Sequence, residues 1–480
     1  MIVGHNITKA FDSRVLFTNV SFKITGRKKI GLVGKNGCGK STLFKIINGE
    51  EESTDGSIDI VNEKIGYIPQ EFSFPDELVG IYLEEQLEST WDYYKIEKLA
   101  SQLNFVNFDP YQSLSTLSEG QKMKVKLIEM MIHEPTTLFI DEPTNHLDME
   151  GIEWFEKYIK SLNISVIMIS HDRTFLNNVV DEIWEIERKG IIRYVGNYDN
   201  YKEEKLNLID KWNDEFKAQE RKRAQLEKLL ENVKKIGDGK KRSRAVSAAK
   251  TRIGRLDKDK KYSYVSETVK SIQIDTEVHK SKLMLRFSDV SKSYDKNTVF
   301  QNLNLELRGG EKVWLFGPNG AGKSTIVKII TGLESIDSGD VKLGENICLG
   351  YFSQIQKKID SKNSILDEFT KRTGCYFAHA YGYLDKFLFK KEDVTKSISL
   401  LSPGERARFE FAIFSYYDYD MLILDEPDNH LDIETKEVLE ESLRAYKGTM
   451  LLVSHDRYFV GNSGITKVLN LKNGILKDIL

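Results

Sequence analysis

The sequence predicts an α/β protein built from two copies of one domain. Two observations predict this fold: five short motifs occur twice in the same order, and strand-like apolar runs alternate with helical patterns inside each copy. The 480 residues, 40% hydrophobic and 30% charged, also suffice for about two to four domains with cores of their own.

The repeat is visible first in the glycine-rich motifs, since GKNGCGKST at 34–42 returns as GPNGAGKST at 317–325. Four further motif pairs share one constant offset, a single position longer than that of the glycine-rich pair. We therefore predict a first domain over residues 1–200, a linker over 201–280 and a second domain over 281–480. The four pairs are Gln70 and Gln354, LSEGQ from Leu117 and LSPGE from Leu401, IDEPTNHLD from Ile140 and LDEPDNHLD from Leu424, and SHDR from Ser170 and from Ser454.

Apolar runs predict the strands that carry these motifs, and helical patterns follow the glycine-rich loops. Strands are predicted at Lys29–Val33 and Val313–Phe316 before the glycine-rich loops, at Leu138–Ile140 and Met421–Leu424 before carboxylates, and at Ser165–Ile169 and Met450–Val453 before Ser-His. Helices are predicted at Thr42–Asn48 and Thr325–Thr331.

The two glycine-rich loops match GxxxxGK[ST] between a strand and a helix, so a plain glycine-rich turn is the weaker alternative. Backbone N–H groups at a helix N-terminus bind phosphate, Lys40 and Lys323 would reach the β and γ phosphates, and the serine hydroxyls would meet Mg²⁺. The residues predicted to bind ATP here are Gly34, Asn36, Gly37, Gly39, Lys40, Ser41, Thr42, Gly317, Asn319, Gly320, Gly322, Lys323, Ser324 and Thr325.

An acidic pair ends one apolar strand in each copy. Asp141 and Asp425 are predicted to hold Mg²⁺ together with Ser41 and Ser324, because magnesium prefers hard oxygen ligands. Glu142 and Glu426 are predicted to orient or deprotonate the attacking water. A helix cap is the weaker alternative, since the acidic pair follows the P-loop lysine at nearly the same distance in both copies.

These motifs resemble those of the nucleotide-binding domains of ABC proteins. The resemblance implies that LSEGQ and LSPGE are ABC signatures, each closing over ATP held by the opposite domain. It further implies a Q-loop glutamine that contacts ATP and Mg²⁺, a catalytic switch histidine, and an aromatic ring that stacks on adenine, here at the same spacing before the P-loop in both copies. The matching residues are Ser118 and Gly120 for the second P-loop, Ser402 and Gly404 for the first, Gln70 and Gln354, His171 and His455, and Phe11 and Tyr294.

The two copies differ inside their motifs. The second signature has Pro403 and Glu405 where the first has glutamate and glutamine, and Asp428 stands where the first copy has Thr144. The two composite sites are therefore chemically unequal, and we expect unequal rates of hydrolysis.

The segment between the copies is basic. Residues 201–261 hold 20 Lys and Arg against 11 Asp and Glu, a net of +9, which leaves −12 for the rest of a chain whose net charge is −3. Apolar spacing on both sides of a glycine turn predicts an antiparallel helical hairpin whose first helix is about 50 Å long. A solvated spacer is the plain alternative, but a run without acids suits a phosphate backbone: Lys240, Lys241, Arg242, Arg244, Lys250, Arg252 and Arg255.

Two ABC domains in one chain, a basic linker and EPTNHLD-type runs resemble, over essentially the whole chain, the ABC-F class. The resemblance implies a ribosome-associated ATPase that uses ATP and Mg²⁺ and whose linker enters the exit-tRNA site, near rRNA, the P-site tRNA and the peptidyl-transferase centre. The Q-loop glutamine and the signature are equally far apart in both copies. The first domain therefore has no arm, meaning an insertion between these two motifs, that the second domain lacks. This favours the branch that protects ribosomes from antibiotics.

Other classes share part of these features. The alternatives are an ABC-F translation factor without a resistance role, the ATPase subunit of an ABC transporter, and a DNA-associated repair ATPase.

No apolar run approaches the ~20 residues of a membrane span, and the first residues show no secretory signal. The three cysteines lack metal or disulfide spacing. We therefore expect a cytoplasmic monomer that closes intramolecularly, without stable membrane association.

Overall fold

A computed structural model describes residues 1–11, 14–105, 108–144, 147–234, 243, 246–248, 250–254, 279–294, 297–352, 362–429 and 431–479. The chain divides into two compact units. The larger contains Met1–Tyr198 and Thr268–Leu480, and the smaller contains Asp199–Glu267.

The first copy of the repeat contains an antiparallel sheet and a mostly parallel sheet. The antiparallel sheet has the strand order β2-β1-β4, and the larger sheet has the order β5-β6-β7-β3-β8-β9, in which only β9 is antiparallel to its neighbour. The strands are β1 (Ile2–Phe11), β2 (Arg14–Ile24), β3 (Lys29–Gly34), β4 (Asp55–Ile60), β5 (Ile65–Ile68), β6 (Thr137–Asp141), β7 (Ser165–Ile169), β8 (Glu182–Glu187) and β9 (Gly190–Val195).

The second copy repeats this architecture, with strand orders β11-β10-β13 and β14-β15-β16-β12-β17-β18. Its strands are β10 (Leu283–Tyr294), β11 (Asn297–Arg308), β12 (Lys312–Phe316), β13 (Ser338–Leu343), β14 (Leu349–Phe352), β15 (Met421–Asp425), β16 (Thr449–Val453), β17 (Lys467–Lys472) and β18 (Ile475–Asp478).

Helices cover both faces of the parallel strands. In the first copy they are Lys40–Asn48, Val79–Glu84, Tyr93–Gln102, Glu119–Ile132, Met149–Ser161 and Arg173–Val179, with 3₁₀ turns at Thr90–Asp92 and Leu114–Thr116. In the second copy they are Lys323–Ile330, Ile365–Thr373, Phe377–Lys386, Pro403–Phe414, Ile433–Ala445 and Arg457–Asn462, with a 3₁₀ turn at Ile398–Leu400.

The structure confirms the α/β class and the predicted elements that carry the motifs. The strand predicted at Ser165–Ile169 has those bounds, and the other predicted strands are one or two residues longer. The helix predicted at Thr42–Asn48 begins earlier, at Lys40, because Gly39 in the left-handed region (φ 103°) forms its N-cap. Such end shifts are expected because hydrophobic periodicity does not mark caps.

The smaller unit is helical where it is described. One helix spans Tyr198–Lys234, 37 residues, and residues 246–248 and 250–254 are also helical. Lys250 and Arg252 of the predicted RNA-binding set are exposed on this second stretch. The predicted glycine turn and the other five cations of the set, Lys240, Lys241, Arg242, Arg244 and Arg255, lie outside the described residues.

No helix in the described part of the chain combines the length and the apolar composition that crossing a membrane requires.

The core of the first domain lies between its sheets and the helix behind the P-loop. Phe44 of that helix is 1% exposed. Its ring lies 5.0 Å from the Phe139 ring of β6, edge to face, and 6.4 Å from the Tyr67 ring of β5. The P-loop helix is thereby fixed to the strands that carry the acidic pair.

We expect Phe44→Ala to lower the free energy of unfolding of the first domain by about 3–5 kcal/mol, because it leaves a cavity where the ring packs. Chemical denaturation followed by tryptophan fluorescence measures the loss. The control is Trp91→Ala, whose side chain is 89% exposed, with an expected change below about 0.5 kcal/mol. Equal losses in both variants would contradict the packing described here.

Candidate functional site

The motif residues meet at the carboxyl edge of each parallel sheet. β7 lies between β6 and β3, with Asp141 opposite Ile169 and Leu32 also opposite Ile169. The P-loop after β3, the acidic pair ending β6 and the histidine after β7 are therefore neighbours, as expected where parallel strands end. In the second copy β16 lies in the same way between β15 and β12.

Glycine conformation shapes the P-loops. Gly39 and Gly322 precede their helices with φ of 103° and 101°, in the region that side chains avoid. A Cβ added at Gly39 would lie 3.0 Å from the Phe17 ring, so packing disfavours a side chain there as well. The loops can thus present backbone N–H groups at a helix N-terminus, where an anion is favoured.

Each P-loop lysine is buried and bonded to its own loop. Lys40 Nζ donates to the carbonyl oxygens of Gly34 (2.8 Å) and Lys35 (3.2 Å). Lys323 Nζ donates to those of Gly317 (2.7 Å) and Pro318 (3.0 Å). Both ammonium groups therefore lie against their own loops, where they can bind a phosphate.

The residues at the ends of β6 and β15 fit a magnesium ion. The Ser41 hydroxyl donates a hydrogen bond to the Asp141 carboxylate, and Ser324 bonds Asp425 in the same way. Within the described residues, Oδ1 of Asp141 and Oδ1 of Asp425 are buried without a hydrogen-bond partner. A hydroxyl and a carboxylate with a spare oxygen are hard donors of the kind Mg²⁺ takes beside phosphate and water.

The two glutamates have the same strained backbone. Glu142 and Glu426 both have φ 50°, and their N–H groups donate to the carbonyl oxygens of Ile169 (2.9 Å) and Val453 (2.8 Å). Strain of this kind in a buried acid is concentrated at functional sites. His171 Nε2 lies 3.4 Å from Glu142 Oε1, whereas His455 Nε2 lies 3.7 Å from Glu426 Oε1.

Burial shifts the proton equilibria of these pairs. It raises the pKa of Glu142 to about 7, with Lys40 opposing and Asp141 adding to the shift. It raises the pKa of Glu426 to about 7 as well, helped by Asp428 and Asp425. Burial lowers the pKa of His455 to about 4 and the pKa of His171 well below its usual value.

The structure therefore keeps both imidazoles neutral at pH 7, each with one N–H donor and one acceptor nitrogen. The pKa values of the two glutamates lie close to neutral pH, where a carboxylate can both accept and release a proton readily.

A cavity of about 570 Å³ joins the first P-loop to the second domain's signature. Ser402 and Gly404 line it from the second domain, as predicted for a composite site. Ser402 is the N-cap of the helix Pro403–Phe414, and its hydroxyl accepts from the Glu405 N–H. The predicted residues lining it from the first domain are Phe11, Asn36, Gly37, Gly39, Lys40, Ser41, Thr42, Gln70, Asp141, Glu142 and His171.

Both P-loops are approached by the opposite domain. The Asn36 N–H lies 3.5 Å from Asp432 Oδ2, and the Asn319 N–H donates to Asp148 Oδ2 at 3.1 Å. Asp148 and Asp432 are the last residues of the two repeated DEP-type runs and were assigned no role in the sequence analysis. Their matching places in the repeat were the signal that could have marked them.

Two ion pairs join the domains, one buried and one partly buried. Arg173, fully buried, bonds Glu440, and Arg457 bonds Glu156. The repeat relates the two arginines to each other and the two glutamates to each other. The interface is thus close to two-fold symmetric, so each domain faces the other through the same residues.

Sequence reasoning missed several residues that line the cavity. Leu16, Arg408, Asn429 and Lys436 lie there, and Glu405 and Asp428, noted only as departures from the repeat, lie there too. Arg408 follows the second signature on the same helix, and this spacing was its only sequence signal.

Some of the predicted site residues stay predictions. Gln354 lies outside the described residues. Ser118 is the N-cap of the helix Glu119–Ile132, in a capping box with Gln121, and the part of Ser118 and Gly120 in the second site stays a prediction. Tyr294 ends β10 and is 42% exposed, as Phe11, at 46%, ends β1.

The fold and the site geometry define a class: ATPases with two ABC-type nucleotide-binding domains. A family model described as ABC transporter matches residues 17–145 and 300–429, and a second model of that description matches residues 184–274. The first covers both P-loops and both acidic pairs.

The chain belongs to the F family of ABC proteins and is an ATPase that binds ATP. It is 31% identical over 527 residues to ABC transporter F family member 2 of Arabidopsis thaliana, covering 98% of this chain and 76% of that protein. It is 30% identical over 497 residues to the ribosome protection protein VmlR of Bacillus subtilis, covering 99% and 87%.

A solved structure has the same fold. The archaeal ribosome recycling factor aABCE1, in its complex with the ribosomal stalk protein aP1, superposes with a TM-score of 0.66 at 18% identity, covering 97% of this chain and 87% of that one.

We expect Phe11→Ala to raise the KM for ATP at the site of the first P-loop by about five- to 150-fold, the equivalent of losing ~1–3 kcal/mol of base stacking. Steady-state phosphate release in a chain carrying Glu426→Gln isolates this site. Phe11→Trp is the matched control and should keep the KM of the parent. A normal KM in Phe11→Ala would remove Phe11 from the adenine site.

Proposed function

We propose that this chain is a ribosome-associated ATPase that binds two ATP at composite sites between its domains. The closed form inserts the basic linker into the exit-tRNA site of the ribosome, and hydrolysis releases it. The proposal is carried by one observation: the cavity at the first P-loop is lined by the signature of the second domain.

ATP binding is proposed to draw the domains together because each composite site needs both. The first P-loop would hold the phosphates with Lys40 and its backbone N–H groups, and Ser402 would contact the γ-phosphate from the opposite domain. Because the repeat relates Lys323 to Lys40 and Ser118 to Ser402, Lys323 would hold the phosphates at the second site and Ser118 would contact the γ-phosphate there. The Asp148 and Asp432 contacts with the opposite P-loops support this symmetry.

Hydrolysis in each site is assigned to the glutamate after the metal carboxylate. Glu142 and Glu426 would orient and deprotonate the attacking water, with His171 and His455 holding the γ-phosphate. Mg²⁺ would neutralise charge on the phosphates. Ser41, Gln70 and Asp141 would hold it at the first P-loop, and Ser324, Gln354 and Asp425 would hold it at the second. Positioning and charge neutralisation are the main requirements of phosphoryl transfer.

Ribosome binding is supported by the linker and by one relative. The linker has a net charge of +9 over residues 201–261 in an otherwise acidic chain, which favours rRNA and P-site tRNA as partners. A relative that aligns with 99% of the chain is named a ribosome protection protein. We extend this to protection from antibiotics of the peptidyl-transferase centre and exit tunnel. The second candidate is an ABC-F translation factor without that role.

The proposal includes the organisation of the chain. We assign residues 1–200 and 281–480 to the ATP-binding domains and 201–280 to the linker, in a monomer that works in the cytoplasm. Two composite sites within one chain remove the need for a second copy.

We expect Glu142→Gln/Glu426→Gln to accumulate on ribosomes in the presence of ATP, because the closed form would persist without hydrolysis. Sedimentation through a sucrose cushion, with ATP or ADP, measures the bound fraction. The control chain carries Glu134→Gln/Glu345→Gln, two exposed glutamates outside the sites. Failure of the doubly substituted chain to pellet with ribosomes would overturn the cycle, and pelleting with membranes instead would favour a transporter subunit.

We expect expression of the chain in a drug-sensitive bacterium to raise the inhibitory concentration of at least one of five drug classes: macrolides, lincosamides, streptogramins, pleuromutilins and phenicols. A chain in which the seven cations of 240–255 are changed to glutamine should lose this protection, because RNA contacts weaken as phosphate-binding charges are removed. Unchanged susceptibility to all five classes would favour the translation factor.

A further inference from the structure

One buried charge pair breaks the symmetry between the domains. Asp428 and Lys436 are each 5% exposed in the second domain. At the corresponding positions of the repeat the first domain has Thr144 and Ile152, neither of which carries a charge. The exchange adds one acid and one base together, so the net charge of the interface is kept.

Lys436 has three partners, one of which belongs to the opposite domain. Its Nζ lies 3.9 Å from Asp428 Oδ2 and 2.9 Å from Asp456 Oδ2. It also donates a hydrogen bond to the carbonyl oxygen of His171, 3.2 Å away in the first domain. A buried ammonium group is stable only with such partners, which fixes the direction of this side chain.

This contact lies at the cavity of the first P-loop. Lys436 and Asp428 line that cavity beside Glu142 and His171. His171 Nε2 lies 3.4 Å from Glu142 Oε1. Lys436 therefore links the second domain to the histidine and the glutamate of the site.

At the other site, the repeat places Ile152 and Thr144 where this link has Lys436 and Asp428. Ile152 has a hydrocarbon side chain and cannot donate a hydrogen bond to the backbone of His455. Thr144 instead places its hydroxyl 3.4 Å from the Ser170 hydroxyl, within its own domain. The His455 to Glu426 distance, 3.7 Å, is also the longer of the two.

We propose that Lys436 is a positioning residue for ATP hydrolysis at the first P-loop: it holds the His171 backbone from the opposite domain and so aligns His171 with Glu142 when the domains close. Asp428 and Asp456 hold the ammonium group in place. The inference rests on the composite sites proposed above. It assigns to one site a link between closure and hydrolysis that the other site lacks.

The test exchanges the pair for its counterparts. Asp428→Thr/Lys436→Ile installs the residues of the first domain, where Asp172, the counterpart of Asp456, is buried without a lysine at position 152. Asp456 keeps its bond from the Phe459 N–H at 2.9 Å. Thermal unfolding of this variant and of Arg372→Met/Glu410→Gln, an ion pair whose residues do not line the cavity, checks the fold.

Phosphate release is measured without ribosomes in two parent chains. With Glu426→Gln only the first P-loop site hydrolyses ATP, and the exchange should lower kcat by about tenfold with KM changed by less than about twofold. With Glu142→Gln only the site of the second P-loop works. Because Asp428 also raises the pKa of Glu426, the variant compared there is Lys436→Met alone, which should change kcat by less than about twofold. Equal losses in both parents, or no loss in the first, would overturn the proposal.

Two further chains separate positioning from simple packing. Lys436→Arg in the Glu426→Gln parent keeps the cation and should retain most of the kcat, whereas Lys436→Met should not. A loss with arginine as large as with methionine would contradict the proposal.

A last comparison separates this inference from the composite-site proposal. Ser402→Ala in the Glu426→Gln parent should slow hydrolysis whether or not Lys436 matters. If Ser402→Ala has no effect, the composite site is wrong; if it slows hydrolysis and the Lys436 exchange does not, only the present inference is wrong. Since no ribosome is present, the outcome is also independent of ribosome binding.

Discussion

The pairing of three adjacent parallel strands is the constraint on which the rest of this molecule depends. Because β7 pairs with both β6 and β3, the P-loop, Asp141 and His171 come to one edge of the sheet. The same pairing of β16 with β15 and β12 repeats the edge in the second domain. β6 and β7 are buried along their whole length, so the register is fixed by packing before any ligand is present.

The second constraint is the interface between the domains. The ion pair of Arg173 with Glu440 is buried, and that of Arg457 with Glu156 is partly buried. Such pairs fix the relative orientation of the groups they join more reliably than they add net stability. They orient the two edges toward each other, so that a signature faces a P-loop it does not share a domain with. Lys436 adds a contact on one side only, and the two sites become unequal through the interface as well as through their motifs.

Much of the fold and of each half-site follows from local patterns. The strand Ser165–Ile169 was predicted to the residue, since a short apolar run before Ser-His has no competing helical period. The P-loop and the acidic pair were found because their spacing repeats. Arg408 and Lys436 were not found, because each lies on a helix face like many other surface cations until the second domain is placed against the first.

The sequence by itself determined the repeat, the α/β class, the basic linker and the chemical groups that each half-site contains, because these are properties of neighbouring residues and of their spacing. The family resemblance implied that Ser402 meets the first P-loop, but only the tertiary structure decided which further groups share that cavity. Ser402 and Lys40 are brought to one cavity, and Lys436 to His171, by the packing of two domains. Contacts between residues so far apart in the chain depend on the summed burial and charge of the whole interface, which no local pattern encodes.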